Sequence, residues 1–143
     1  ELGYDVINIG ADLYGDSEEV IDKLLQASKP HSVVIGAGEP SVIVKGARGV
    51  TGRCQNLTMI SLEKIGLNDT LSSFASDGID NLSISSGAIA DSITLKKSRK
   101  YNLSISDVLK ENTIDEFFTK TEDQIITGAT NSNVSDLMIL LRK

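Results

Sequence analysis

Arg53 is the residue with the clearest chemical use in this chain, because of what leads into it. Gly46, Gly49 and Gly52 make a flexible loop that delivers Arg53 to the start of a helical pattern. Backbone N–H groups and the dipole at a helix N-terminus favour an anion, and an arginine fork can clamp a carboxylate or phosphate through two bonds. A solvated arginine on a surface loop is the other reading of the same residues. The loop is not a Walker A loop, which needs Gly, four residues, then Gly-Lys-Ser/Thr, and no Gly-x-Gly-x-x-Gly follows the first apolar run. Asp77 and Asp80 flank Gly78 just after another apolar run. Acids so placed can hold Mg²⁺ with its waters against phosphates, or orient a hydroxyl; they can equally close an Asx turn on their own backbone. Glu39 follows Gly36-Ala37-Gly38 and is either a further convergent acid or a cap. Residues 128–136 hold Thr130, Asn131, Ser132 and Asn133, short polar groups that suit a ligand-facing turn or a hairpin alike.

These four turns each close a hydrophobic run. In open α/β sheets ligands collect at the carboxyl ends of strands, so Glu39, Arg53, Asp77 and Asn133 are expected to face one common side of the domain. Other chemistry is scarce. His31 is the single histidine, which rules out a histidine-rich metal site or a histidine-driven serine triad. Cys54, the only cysteine, cannot form an internal disulfide and fits a reducing cytoplasm. Beside Arg53 at a helix start its thiol pKa could fall, though a small buried packing role is preferred.

The elements that must position these groups follow from the apolar pattern. The chain of 143 residues suits one domain, and 40% hydrophobic content is ordinary for a globular protein. A net charge of −6 argues against a nucleic-acid surface. No apolar run approaches the roughly 20 residues of a membrane span. The chain starts at Glu1, not Met, which predicts a longer gene product or preceding disordered residues. A short buried strand is expected over residues 5–9, then a helix capped by Asp16 and Glu19 and running to Ala27. Residues 32–35 and 42–45 read as strands joined by a turn over 36–40. A helix follows over about 55–65, capped by Gly66, and a strand over 71–75. The small residues of 85–91 suggest a short helix packed close to the sheet. The basic run 96–100 reads as a solvated loop before helices near 104–111 and 114–120. Strands over 124–127 and 137–141 close the chain as a pair. The result is a single α/β domain, 1–143, with a mixed β-sheet flanked by helices in two or three layers.

The order and wording of the turns resemble the MOFRL domain, the carboxyl-terminal part of the class-II glycerate kinases. The family pattern reads Gly-Gly-Glu, then Gly-x-Gly-x-Gly-Gly-Arg-Asn-Gln-Glu, then Thr-Asp-Gly-x-Asp-Gly-Pro-Thr-Asp-Ala-Ala-Gly, and finally Gly-Pro-Thr-Gly-Thr-Asn-Val-x-Asp. This chain matches at Gly38-Glu39, Gly52-Arg53, Gln55, Asp77-Gly78, Asp80, Gly87-Ala88, Asp91, Gly128, Thr130, Asn133-Val134 and Asp136-Leu137. It departs where Cys54 stands for Asn, Asn56 for Glu, residues 81–84 for Gly-Pro-Thr-Asp, and Asn131-Ser132 for Gly-Thr. The resemblance implies ATP-dependent phosphorylation of D-glycerate, with Mg²⁺, in a cleft shared with a larger amino-terminal Rossmann-like domain of the same cytoplasmic protein. It implies Arg53 as a catalytic anion contact and Asp77 as the acid nearest the chemistry or, with Asp80, the metal. Glu39, Gly52, Gln55, Thr130 and Asn133 would contact the substrate or its anion. No cofactor, nucleic acid or membrane partner is expected on this domain alone. The alternative is a non-catalytic domain of the same family that binds a small anionic metabolite or mediates assembly.

Overall fold

The computed structural model describes residues 3–42, 51–81 and 83–143. The elements run β1 (Asp5–Asn8), α1 (Ser17–Ala27), β2 (Ser32–Gly38), α2 (Arg53–Ser61), β3 (Asp69–Ala75), β4 (Gly87–Ala90), α3 (Ser92–Lys100), α4 (Ile105–Glu111), α5 (Ile114–Thr121), β5 (Gln124–Ile125) and β6 (Asp136–Arg142). The strands form one sheet in the order β1-β2-β6-β3-β4-β5. Only β1 and β2 run parallel; the remaining neighbours are antiparallel. The sheet is mixed, as expected for this α/β domain.

Period-2 burial sorts the central strands. Alternate residues of β2, β3 and β6 are buried, and the intervening ones are half-buried on the opposite face. Val34, Leu71, Met138 and Leu140 of the buried set join Val20, Ile21 and Leu24 of α1 and Leu57 of α2 in one core cluster. A second cluster sets Met59 and Leu62 against Ala88 and Ala90 of β4 and Ile114, Phe117 and Phe118 of α5. Helix α2 therefore lies between both clusters, buried at six consecutive residues from Cys54 to Met59. Truncating Leu57 to Ala would cost roughly 2–5 kcal/mol by the usual cavity penalty, so the helix that starts at Arg53 is firmly seated.

Several local expectations are corrected. Residues 87–90 form strand β4, not a helix: their smallness lets α2 pack on the strand, and a Cβ at Gly87 would lie 1.9 Å from the Ser73 carbonyl oxygen. Residues 36–38 extend β2 instead of turning, since Ala37 pairs with Leu137 and Gly10. Strand β1 is a mostly exposed edge. Helix α2 begins at Arg53 and stops at Ser61, with Leu62 as its C-cap in place of Gly66. The basic run 96–100 is the end of α3, where Lys97, Arg99 and Lys100 meet the negative end of the helix dipole. Strand β5 is only two residues long and lies at the sheet edge beside β4, so it does not pair with β6. Residues 43–45 of the strand expected over 42–45 and residues 46–50 of the loop over 46–52 lie outside the described residues. Helix α1 starts at the expected cap, the Asp16 carboxylate accepting from the Glu19 N–H at 2.9 Å, without the return bond from the Glu19 side chain that would complete a capping box.

Candidate functional site

Sheet order explains why distant turns converge. Strand β6 runs between β2 and β3, and its first residue, Asp136, is in register with Gly38 on one side and Ala75 on the other. The exits of β2 and β3 thus flank the start of β6 at one end of the sheet. Gly38 lies so close to Leu13 that a Cβ would fall 2.2 Å from its carbonyl oxygen, and the next residue, Glu39, emerges at that end. Beyond β3, Gly78 turns with φ +91°, and a Cβ there would meet the Gly128 carbonyl oxygen at 1.9 Å. This contact lets residues 128–135 lie against the turn. The Thr130 N–H donates to the Asp77 carbonyl oxygen at 3.0 Å, the Thr130 hydroxyl to the Ser76 carbonyl, and the Val134 N–H to Ser76 Oγ at 2.8 Å.

The result is an open cavity of about 910 Å³ whose lining includes Glu39, Gly52, Arg53, Asp77, Asn133 and Asp136. All four turns contribute to it. Arg53 Nη1 donates to Glu39 Oε2 at 3.1 Å, and Arg53 Nε lies 3.1 Å from Asp136 Oδ2. That second N–H does not point at the oxygen, which has no directed hydrogen bond, so charge holds the contact. Burial works against the Arg53 charge, but Asp136 and Glu39 outweigh it and leave the pKa raised. For Asp136 burial dominates and pushes the carboxyl up, against the pull of Arg53.

The remaining site candidates have different surroundings. Asp77 lines the cavity, and its Oδ1 accepts from the Ile79 N–H at 3.1 Å in an Asx turn. Asp80 is buried at the start of α2: Oδ1 accepts from the Cys54 N–H at 3.2 Å and Oδ2 from the Gln55 N–H at 2.8 Å. Burial, resisted by those two bonds, pushes its pKa up to about 6. Gln55 is fully buried outside the cavity lining, and its Nε2 donates to Ser85 Oγ at 2.7 Å and Asp115 Oδ1 at 2.9 Å. Thr130 ties the loop down and is not part of the lining. Cys54 is buried, and burial first, then Asp80 and Asp136, drives its thiol pKa upward. Among the described residues no three His, Cys, Asp or Glu side chains are grouped to hold a metal ion. Asp136 was not among the candidates read from chemistry alone, although a charge heading the apolar run 137–141 marks where that strand emerges. No helix among the described residues is long and apolar enough to cross a membrane.

Residues 32–136 match the model of the MOFRL family. The chain is 33% identical over 145 residues to a glycerate 2-kinase of Picrophilus torridus, covering 94% of this chain and 33% of the relative. A D-glycerate 2-kinase of Thermotoga maritima is 35% identical over 125 residues, covering 85% and 29%. A glycerate 2-kinase of Pyrococcus horikoshii is 26% identical over 151 residues, covering 98% and 34%. Among solved structures, a Pyrococcus horikoshii protein superposes with a TM-score of 0.85 at 25% identity, over 99% of this chain and 35% of that one. A Thermotoga maritima glycerate kinase superposes with a TM-score of 0.83 at 29% identity, over 99% and 37%. The chain thus spans about a third of the length of these relatives.

Proposed function

The chain belongs to the MOFRL family, and we propose from that premise that it is the carboxyl-terminal domain of an ATP-dependent glycerate kinase. In this reading it supplies loops to an active site shared with a larger, Rossmann-like amino-terminal domain. The observation that carries it is the convergence of Glu39, Arg53, Asp77 and Asn133 on one cavity at the strand ends. The relatives' names support the reaction class, and the shared cavity supports a part in it for these four residues.

Phosphoryl transfer spreads charge over the equatorial oxygens of the moving group, so catalysis is mostly positioning and charge stabilisation. Arg53 is the cavity's arginine among the described residues, and its guanidinium is held by Glu39 and Asp136. A planar fork fixed on one side can offer its other N–H groups to a phosphoryl or glycerate oxygen. Asn133 adds an amide able to donate to a substrate hydroxyl or carboxylate. Asp136 faces Arg53 and Asp80 commits both oxygens to α2, whereas Asp77 Oδ2 has no partner among the described residues. Asp77 would therefore hold Mg²⁺ or orient the acceptor hydroxyl, since Mg²⁺ commonly takes one or two protein carboxylates plus phosphates. Bound there, the ion would neutralise phosphate charge. Thr130 keeps the Asn133 loop against the Asp77 turn, and Gln55 braces α2 from below. A cytoplasmic location accords with the single buried thiol.

A coupled assay for ADP with D-glycerate, run on the complete protein and on these 143 residues alone, tests the proposal. Turnover is expected from the complete protein and none from the isolated chain, which has no nucleotide-phosphate loop of recognisable sequence. Turnover by the chain alone would overturn the shared site. Silence from the complete protein would overturn the kinase and leave a domain that binds an anionic metabolite.

A further inference from the structure

The N-terminus of α2 is the obvious place for a substrate anion, yet the chain fills it with a group of its own. The Asp80 carboxylate bridges the Cys54 and Gln55 N–H groups. It also lies directly over Gly52: a Cβ on that residue would come within 1.9 Å of Asp80 Cγ and 2.0 and 2.2 Å of its two oxygens. The segment carrying Asp80 is fastened independently. Its N–H donates to the Ser85 carbonyl at 2.8 Å, and Asn81 Nδ2 reaches the Thr51 carbonyl at 3.1 Å. Ser83 Oγ bonds Asp115 on α5, which also accepts from Gln55 Nε2. Asp80 is therefore a fixed post, and the first turn of α2 is built on it.

We propose that Asp80 is a positioning residue for Arg53: its carboxylate permanently occupies the α2 N-terminus and so holds the first helical residue where Glu39 and Asp136 can grip its guanidinium. This rests on the kinase reading for its catalytic consequence, but not for its structural one. It follows that a substrate anion meets the Arg53 side chain and not the helix terminus. It also follows that Gly52 is required for the room it leaves the carboxylate.

Two variants displace the same contact from opposite sides. Asp80→Asn replaces one accepting oxygen with a donor facing backbone N–H groups; Gly52→Ala pushes the carboxylate away with its charge intact, and serves should Asp80→Asn fail to fold. In the complete protein each is expected to lower kcat/KM by about 10- to 100-fold, the usual scale for losing a residue that orients a reacting group. The loss should fall on kcat, with KM within about threefold. In an Arg53→Ala background either should add less than about threefold, because both act through the same side chain. An equal, independent loss in that background would overturn the proposal, since a merely structural role multiplies. Independently of activity, native alkylation of Cys54 by iodoacetamide, followed by peptide mass spectrometry, reports opening of the first turn. It should accelerate at least about tenfold in Gly52→Ala, which keeps the Asp80 charge beside the thiol and so reports opening alone, accelerate likewise in Asp80→Asn, and stay within about threefold in Arg53→Ala. Unchanged Cys54 labelling in the two variants would overturn the proposal even if turnover fell. A silent wild-type enzyme would remove the kinase reading, and the labelling result would still decide whether Asp80 holds α2.

Discussion

An arginine–aspartate pair stands at each end of the β3–β6 ladder, one made by the two strands themselves and one by β6 with the start of α2, and the two pairs behave differently. At one end Asp69 and Arg142 are in register; at the other Asp136 stands opposite Ala75 and meets Arg53. Asp69 accepts from Arg142 Nε and Nη2, both at 2.8 Å, and from the Gly66 N–H at 2.9 Å. The Arg142 bonds win against burial and hold the Asp69 carboxyl below its ordinary value. Asp136 is as little exposed, at 5% of its side chain against 4% for Asp69. Yet burial wins there, because more protein surrounds Asp136, and Arg53 approaches it through one poorly aimed N–H and is shared with Glu39. Equal residue types at equal exposure thus give one saturated pair and one under-satisfied pair. The second pair lines the cavity at the strand ends, and perturbed charged groups in a cleft cluster at functional sites.

Removing Arg142 should have the largest effect on stability. Arg142→Ala leaves a buried carboxylate without its bidentate partner, a loss of about 3 kcal/mol by analogy with other broken buried pairs. A denaturant melt of the chain measures it, and kcat of the folded complete protein should change little. A loss below about 0.5 kcal/mol would place this pair with ordinary surface ion pairs.

Arg53 should show the opposite pattern. Arg53→Ala in the complete protein is expected to cut kcat/KM at least about 100-fold, the scale of losing one transition-state donor. Arg53→Lys should rescue little, as an ammonium cannot reproduce a planar fork. Its stability cost should stay near 1 kcal/mol or less, because its side chain is 45% exposed, it gives Asp136 no directed hydrogen bond, and Asp136, already raised in pKa, can take up a proton when Arg53 is gone. Near-normal turnover in both variants would erase the distinction between the two ends of the sheet.

How much of this was legible in the sequence depended on whether the information was local. The α1 cap at Asp16, helices α4 and α5, and the apolar run of β6 all follow from spacing and propensity. The gathering of Glu39, Arg53, Asp77 and Asn133 was expected from the rule that such turns end strands; Glu39 and Asp77 do follow β2 and β3, whereas Asn133 precedes β6. For Asp80 the nearness to Asp77 suggested a shared ligand, and local sequence held no sign of the tertiary packing that turns its carboxylate toward the N–H groups of α2, 25 residues away in sequence from Gln55. The small residues of β4 looked helical because the demand they meet, close approach of α2, leaves no periodic trace. The place of β6 between β2 and β3 is a property of sheet order, which no local pattern encodes, and Asp136 was missed as a partner of Arg53 for that reason.

The smallest expected effect is a pH dependence of opposite sign at the two ends. Asp80, beside the Arg53 pair, has its pKa raised from 3.8 to about 6 in the folded chain. The folded state thus binds that proton more tightly than the unfolded state. Its contribution to stability is fully present below about 3.8 and is lost as pH rises through about 6, a change of at most about 3 kcal/mol spread over that range. Asp136, raised for the same first reason, adds to it with the same sign. Asp69 is lowered, so its contribution is present above 3.8 and is lost as pH falls through its folded value. Melts of the wild-type chain should therefore show stability climbing as pH drops from about 7 toward 4.5, then falling in stronger acid. Asp80→Asn should flatten the climb and spare the acid limb, while Arg142→Ala should do the reverse. Parallel profiles for wild type and Asp80→Asn between about pH 4 and 6 would mean that the Asp80 carboxylate is solvated, and the contrast between a satisfied and a strained end of the sheet would then rest on Asp136 alone.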